Sequence, residues 1–370
     1  MALYCSFHSG YNTKMNNFIE FLDKQQHRFD VLVKKEVSSF WSKANLIRQT
    51  GLSEINQILN YKKEALSTPS AYFFEAKSKK LRPILGFLLL KAFGAQHAHR
   101  FEKYLILPEI LHSASLIVDD IEDNATLRRN RPCLHKHYGL DTAVNIANAL
   151  YFLPFFYLNK ANISSSLKTK IYGILFFAMN RIHVGQGLDI FWHKNKNLCI
   201  TPKEYSSMAK LKTSSFFRAE AELAACLAGK TGPLALRGIA FAENIGVAFQ
   251  IMDDVLDLTI NKNEKKSFGK RFAQDIYEGK KTLIIAYALQ RSTAKEKKKI
   301  LDILALHEYK IDYIIELLNI IEKYNSIEDA QKAAHRLVRH SWNIFSNTLR
   351  QSQAKSYLQS FCDFICKRRF

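Results

Sequence analysis

Two short stretches of carboxylates stand out in the chain: Asp119-Asp120-Ile121-Glu122-Asp123 and Asp253-Asp254-Val255-Leu256-Asp257. Both read DDxxD, and each follows an apolar run, Ser115 to Val118 and Phe249 to Met252. In a helix, Asp119 and Asp123 share a face, and so do Asp253 and Asp257. Like charges at that spacing repel and destabilise the helix. Hard divalent cations offset such repulsion, and Mg²⁺ held by one or two carboxylates plus substrate phosphates is the usual arrangement. One such cluster reads most simply as an exposed acidic helix end. Two copies in a chain with 54 basic and 34 acidic residues, net +20, point instead to a metal-assisted site.

Helical-wheel arithmetic at about 100° per residue places His112, Leu116, Asp119 and Asp123 in one stripe. Gly246, Gln250, Asp253 and Asp257 form another. Facing helices would then carry the carboxylates at the mouth of a cleft, a common place for a bundle site. Phosphate needs cations as well as metal. Lys79, Lys80 and Arg82 precede Pro83; Arg128, Arg129 and Arg131 follow the first cluster; Lys212-Thr213 follows Pro202; Lys270 and Lys280 follow the second cluster. Arg suits bidentate phosphate recognition and Lys supplies point charge. Each alone is most simply surface charge, and their placement beside the acids is what raises them. Gly185-Gln186-Gly187 has Ile190 where GxGxxG needs its third Gly, and neither GxxxxGK[ST] nor HExxH occurs.

The elements that must position these residues are helices. Hydrophobic residues make up 47% and charged residues 24%, a globular composition. Only 14 Gly and 7 Pro occur, too few for the turns of a β-rich chain of 370 residues. Leu107, Ile110, Leu111, Ala114, Ile117, Val118 and Ile121 follow amphipathic helical spacing. No apolar run approaches the length of a spanning helix. The six cysteines form no CxxC pair, so reduced thiols are expected. The expected organisation is all-α: a helical extension over residues 1–50 and one domain over 51–370. No apolar segment of secretory type opens the chain, and a cytoplasmic location is expected. The acid-free first 19 residues fit an organelle presequence as the alternative.

In order along the chain, Lys79-Lys80-Leu81-Arg82-Pro83, His112, the first aspartate cluster with Arg128-Arg129, Gly185 to Asp189, Lys212-Thr213, Phe249-Gln250 with the second cluster, Lys270, and Glu278-Gly279-Lys280 resemble the motifs of the trans-isoprenyl diphosphate synthase (polyprenyl synthetase) family. Geranylgeranyl diphosphate synthases are the nearest group. The resemblance implies a single-domain bundle of the isoprenoid synthase type, with a central cleft between two DDxxD helices. It implies Mg²⁺, about three ions when substrate is bound, held by Asp119, Asp123 and Asp253, with Asp120, Asp254 and Asp257 in support. Arg128, Lys212 and Lys270 are implied to bind the allylic diphosphate, and Lys79, Arg82, His112 and Arg129 isopentenyl diphosphate. Thr213 and Gln250 orient the allylic group, and Lys280 belongs to the same substrate site.

Small Ser115 beneath Asp119 implies an open tunnel, and Tyr151, Phe152 and His183 fall where C20 synthases place floor residues. A geranylgeranyl (C20) product is therefore expected. A longer-chain polyprenyl synthase and a class I terpene cyclase are the alternatives, and a non-catalytic subunit is disfavoured because all six aspartates remain. The sequence departs from the family pattern at Lys77-Ser78, at Asn130 and at Gln274, where Gly-Gly, Gly and an acid are usual. A homodimer and peripheral membrane contact follow as expectations. A nucleic-acid partner does not, since no RRM, KH or aromatic-basic platform appears.

Overall fold

The computed structural model describes residues 13–52, 59–259, 272–306 and 310–367. The helices that frame the site are α1 (Thr13–Phe40), α2 (Leu81–Ala92), α3 (Leu107–Glu122), α4 (Leu140–Lys160), α5 (Ser165–Lys194), α6 (Pro202–Leu211), α7 (Ser214–Leu227), α8 (Gly232–Thr259), α9 (Leu283–Arg291), α10 (Ser326–Ser346) and α11 (Gln353–Lys367). Among the described residues the one sheet is a hairpin, β1 (Leu127–Arg128) and β2 (Arg131–Pro132). The all-α expectation holds.

Helix α7 lies at the centre. All but three of its residues are buried, and Ala219, Ala221, Ala224 and Ala225 let its neighbours approach closely. It packs on α2, α5 and α8, while α8 packs on α10 and α3 on α4. Helix α8 is long and apolar enough to cross a membrane by length and composition. Half of that apolar window is buried in the bundle, however, and the helix carries the second aspartate cluster.

The segment expected as a helical extension is helical from Thr13, and it is built into the core rather than appended to it. Phe18, Leu22, Phe29, Val33 and Val37 recur at helical spacing along α1 and are all buried. The Phe18 ring packs on Phe361 and Tyr357 of α11, at 6.4 and 5.9 Å. Burial of side chains this size contributes about 1.5–3 kcal/mol each, so α1 is part of the core.

Candidate active site

Helix α3 begins with Pro108 in its first turn, where the missing N–H costs nothing. It ends within the first acidic cluster, with Asp123 at its C-cap. Asn124 takes a left-handed φ of 48°, its N–H donates to the Ile121 carbonyl, and the Ala125 N–H donates to the Asp120 carbonyl at 2.9 Å. This is a Schellman ending, which Asn tolerates better than most residues. Asp119, Asp120 and Asp123 therefore occupy the C-terminal turn, where the helix dipole disfavours negative charge. Cations brought in by tertiary structure offset both penalties.

Asp119 sits at the meeting point of four elements. Lys212 Nζ lies 3.2 Å from its Oδ1, Gln186 of α5 donates to the same oxygen at 3.1 Å, and Arg128 lies 3.6 Å from Oδ2. Burial would raise this carboxyl, but the charges of Lys212, Lys280 and Arg128 outweigh it and hold Asp119 well below the usual carboxylate range. Asp123 receives Lys280 Nζ at 2.8 Å. Its burial, with Asp119 and Glu278 nearby, nevertheless pushes it up to about 6. Lys280 is aimed by a second Schellman ending: Gly279 has φ 72° and the Lys280 N–H donates to the Asp275 carbonyl. Asp120 behaves differently from its neighbours. It is buried and accepts Arg128 Nε and Nη2 at 2.6–2.7 Å, so it fixes that arginine instead of facing the cleft.

Across the cleft, α8 carries the second cluster. Asp253 and Asp254 line the same cavity as Asp119. Asp254 is fully committed: Tyr205 donates to its Oδ2 at 2.5 Å and Gln250 to its Oδ1 at 2.7 Å. Burial and the Asp275 charge push its carboxyl well up. Thr213 in turn donates to Gln250 Oε1 at 2.5 Å, so the two residues expected to orient the allylic group form one chain of hydrogen bonds with Asp254. Asp257 does not reach the cavity lining. Its carboxylate accepts the backbone N–H groups of Gln274 and Asp275, both at 3.1 Å, and so caps the short helix Gln274–Tyr277. That cap holds Asp275, a lining residue absent from the sequence expectations.

The cavity measures about 1040 Å³ and has a cationic pole lined by Lys79, Lys80, Arg82, His112 and Arg129. Arg82 lies over the Phe217 ring at 4.9 Å. Burial, together with Arg82, Arg129, Arg128 and Lys80, pushes His112 well below the ordinary histidine range, so its ring is neutral at pH 7. Arg129 is pushed down to about 10, chiefly by burial, and stays charged at neutral pH. It sits with Asn130 in the two-residue turn of the hairpin, at φ 53° and 62°. That is a type I′ turn, which accepts Asn where Gly is usual. The Lys77-Ser78 departure also costs no left-handed strain, because the positive φ of this loop falls at Lys80. Lys80 is buried, with Nζ 3.5 Å from Glu109 and 3.6 Å from Asp30 of α1.

Ser115, Tyr151 and His183 also line the cavity, and the Tyr151 and His183 rings meet edge-on at 6.1 Å. Phe152 does not join them: it is 69% exposed on the outer side of α4. This corrects the expected floor. Lys270 lies outside the described residues. Two contributors were not assigned from sequence. Asp189 accepts Lys212 Nζ at 2.6 Å, and Gln186 bonds both Asp119 and Glu122. Both lie in the Gly185–Asp189 motif on α5, and only packing brings that motif against Lys212.

The donor set suits a hard divalent ion. Asp119, Asp123 and Asp253 offer only oxygen ligands, and Asp123 is raised by burial and by the like charges of Asp119 and Glu278, which a cation would offset. Among the described residues no three carboxylates converge on one point. An ion between the helices would therefore complete its shell with phosphate oxygens and water, as Mg²⁺ commonly does.

The chain is similar to known proteins over most of its length. Geranylgeranyl diphosphate synthase of Sulfolobus acidocaldarius is 29% identical over 301 residues, 81% of this chain and 90% of the relative. The short chain isoprenyl diphosphate synthase of Methanothermobacter thermautotrophicus is 30% identical over 306 residues, 82% and 91% of the two chains. The crystal structure of geranylgeranyl pyrophosphate synthetase from Pyrococcus horikoshii superposes with a TM-score of 0.81 at 24% identity, covering 95% of this chain and 99% of that one. Residues 63–321 match the polyprenyl synthetase family, and the chain belongs to that family.

Proposed function

We propose that the chain condenses isopentenyl diphosphate with allylic diphosphates in trans, in the presence of Mg²⁺, to give geranylgeranyl diphosphate. One observation carries this reading: a single cavity of about 1040 Å³ is lined both by aspartates of α3 and α8 and by a pole of cations, Lys79, Arg82 and Arg129, enough to hold two diphosphates. A cyclase that ionises one substrate has no use for the second pole.

Mg²⁺ bound by Asp119, Asp123 and Asp253 would supply Lewis-acid stabilisation of the leaving diphosphate. Lys212 lies beside Asp119 and adds fixed positive charge where negative charge develops as the allylic C–O bond breaks. Arg128, locked on Asp120, does the same without reorganising. Lys79, Arg82 and Arg129 hold isopentenyl diphosphate, with neutral His112 among them as a hydrogen-bonding group. The double bond of isopentenyl diphosphate then attacks the allylic carbon, and a proton leaves the new adduct for the departing diphosphate. The Thr213–Gln250–Asp254 chain orients the allylic group, and the apolar wall keeps water from the cation.

Tyr151, which lines the cavity together with Ser115 and His183, is the residue this reading assigns as the floor of a C20 product tunnel. A homodimer fits the outer face of α4 and α5, where Phe177, Val184 and Phe191 recur every seven residues with exposures of 47–57%, beside Phe152. Incubation of the purified protein with labelled isopentenyl diphosphate, Mg²⁺ and C5, C10 or C15 primers tests the reading. Products ending at C20 support it. Longer products favour a polyprenyl synthase, and diphosphate release without incorporation favours a cyclase.

A further inference from the structure

Lys212 stands at a bend, after the last residue of α6 and just before α7. Helices α5 and α8 press on that bend from two sides. A Cβ on Gly185 would lie 2.4 Å from the Lys212 nitrogen, and one on Gly246 would lie 2.7 Å from the Ser214 Cα. One turn before each glycine stands a charged residue, Arg181 on α5 and Glu243 on α8. Neither lines the cavity.

The Arg181 guanidinium grips the chain on both sides of Lys212. Its Nη2 donates to the Lys210 carbonyl at 2.9 Å, and its Nε to Ser215 Oγ at 3.0 Å. Nη2 also meets Glu243 Oε1 at 2.6 Å. The Glu243 backbone carbonyl accepts Ser214 Oγ at 2.5 Å, and Ser215 Oγ donates to the Leu211 carbonyl at 2.7 Å. A helix ending at Leu211 leaves its last carbonyls without helical partners. Arg181 and Ser215 satisfy two of them and hold the bend in one shape. Arg181 is four-fifths buried and lies over the Phe177 ring at 5.5 Å, which further limits its freedom.

We propose that Arg181 and Glu243 are positioning residues for Lys212, clamping the bend so that its ammonium stands between Asp119 and Asp189. The inference rests on the condensation reading above, in which Lys212 meets the allylic diphosphate. An arginine is suited to the task because its rigid planar fork spans acceptors on three elements, whereas the ammonium of a lysine is a compact point charge. A displacement of about 1 Å at a group that stabilises developing charge lowers rates by up to about 10²-fold.

The test is steady-state kinetics of Arg181→Gln, Arg181→Lys and Glu243→Gln, with each substrate varied in turn. The expected result is a kcat about tenfold lower and a raised KM for the allylic diphosphate, while KM for isopentenyl diphosphate stays within about twofold. Arg181→Lys should recover only part of the loss. A merely structural role would not separate the two substrates, whose cations sit on different elements. Equal shifts in both KM values, or unchanged kinetics in a folded variant, would overturn the assignment. Glu243→Gln carries the same test if Arg181→Gln does not fold, and collapse of both would make the cluster a fold element and overturn it too. A wild-type protein that does not condense the substrates would sink the condensation reading instead.

Discussion

The ammonium of Lys280 lies 2.8 Å from the Asp123 carboxylate, although 157 residues separate the two in sequence. Lys280 meets Glu278 as well, at 2.5 Å, so a single cation serves two carboxylates. Burial, with the like charges of Asp119 and Glu278, outweighs that cation and pushes Asp123 up to about 6. A divalent ion would offset those like charges. Asp123→Asn should therefore lower kcat by about 10²–10³-fold and raise the Mg²⁺ concentration needed for half-maximal rate. Lys280→Met should lower the rate with a much smaller change in Mg²⁺ demand. An Asp123→Asn enzyme with normal Mg²⁺ titration would remove Asp123 from the metal site.

Asp120 belongs to the same motif but answers to a different physics. It is buried, and Arg128 occupies both of its oxygens. Removing one partner of a buried pair leaves an uncompensated charge and costs about 3–5 kcal/mol. Asp120→Asn should thus show a lowered melting temperature along with its rate loss, while Asp123→Asn should melt near the wild type. Thermal unfolding of the two variants decides the point. An Asp120→Asn protein of wild-type stability would contradict the structural role.

Glu220 gives a pH prediction. It lies in the centre of α7 with neither carboxyl oxygen hydrogen-bonded, against Gly86 of α2, where a Cβ would be 2.4 Å from Oε2. Burial, reinforced by the Glu109 charge, pushes its carboxyl well above the usual range. The folded chain therefore keeps a proton that the unfolded chain releases above its ordinary carboxylate range. Stability is lost as pH rises from that range through the folded value. Glu220→Gln removes this slope. Its melting temperature should exceed that of the wild type at pH 9 and match it near pH 4.5. Parallel curves for the two proteins would show that Glu220 is ionised in the fold.

Much of this site was legible because helical periodicity and charge scarcity are local properties. The stripe of His112, Asp119 and Asp123, the acids at helix ends and the Gly279-Lys280 pair need only the order of residues. Asp189 was not assigned because one carboxylate in a helix carries no pattern of its own. Its role appears only when the Lys212 bend is packed against α5. Its place in the motif implies a supporting role at the metal for Asp257, yet its carboxylate caps the helix at Gln274, a partnership that only the chain's return creates. The first 50 residues looked like an extension because their polar faces dominate the composition. Only packing shows that Phe18 and Phe29 belong to the core.

The floor of the tunnel separates two adjacent residues. One step along a helix turns the side chain by about 100°, so Tyr151 faces the cavity while Phe152 faces outward at 69% exposure. Tyr151→Ala should lengthen the product by one or more five-carbon units, because it removes a large ring from the cavity wall. Phe152→Ala should leave chain length unchanged when assayed as the same assembly. Sizing the dephosphorylated products of both variants by chromatography separates the cases. Longer products from Phe152→Ala, with normal ones from Tyr151→Ala, would mean that the tunnel ends at the surface between α4 and its neighbour and not at the Tyr151 ring.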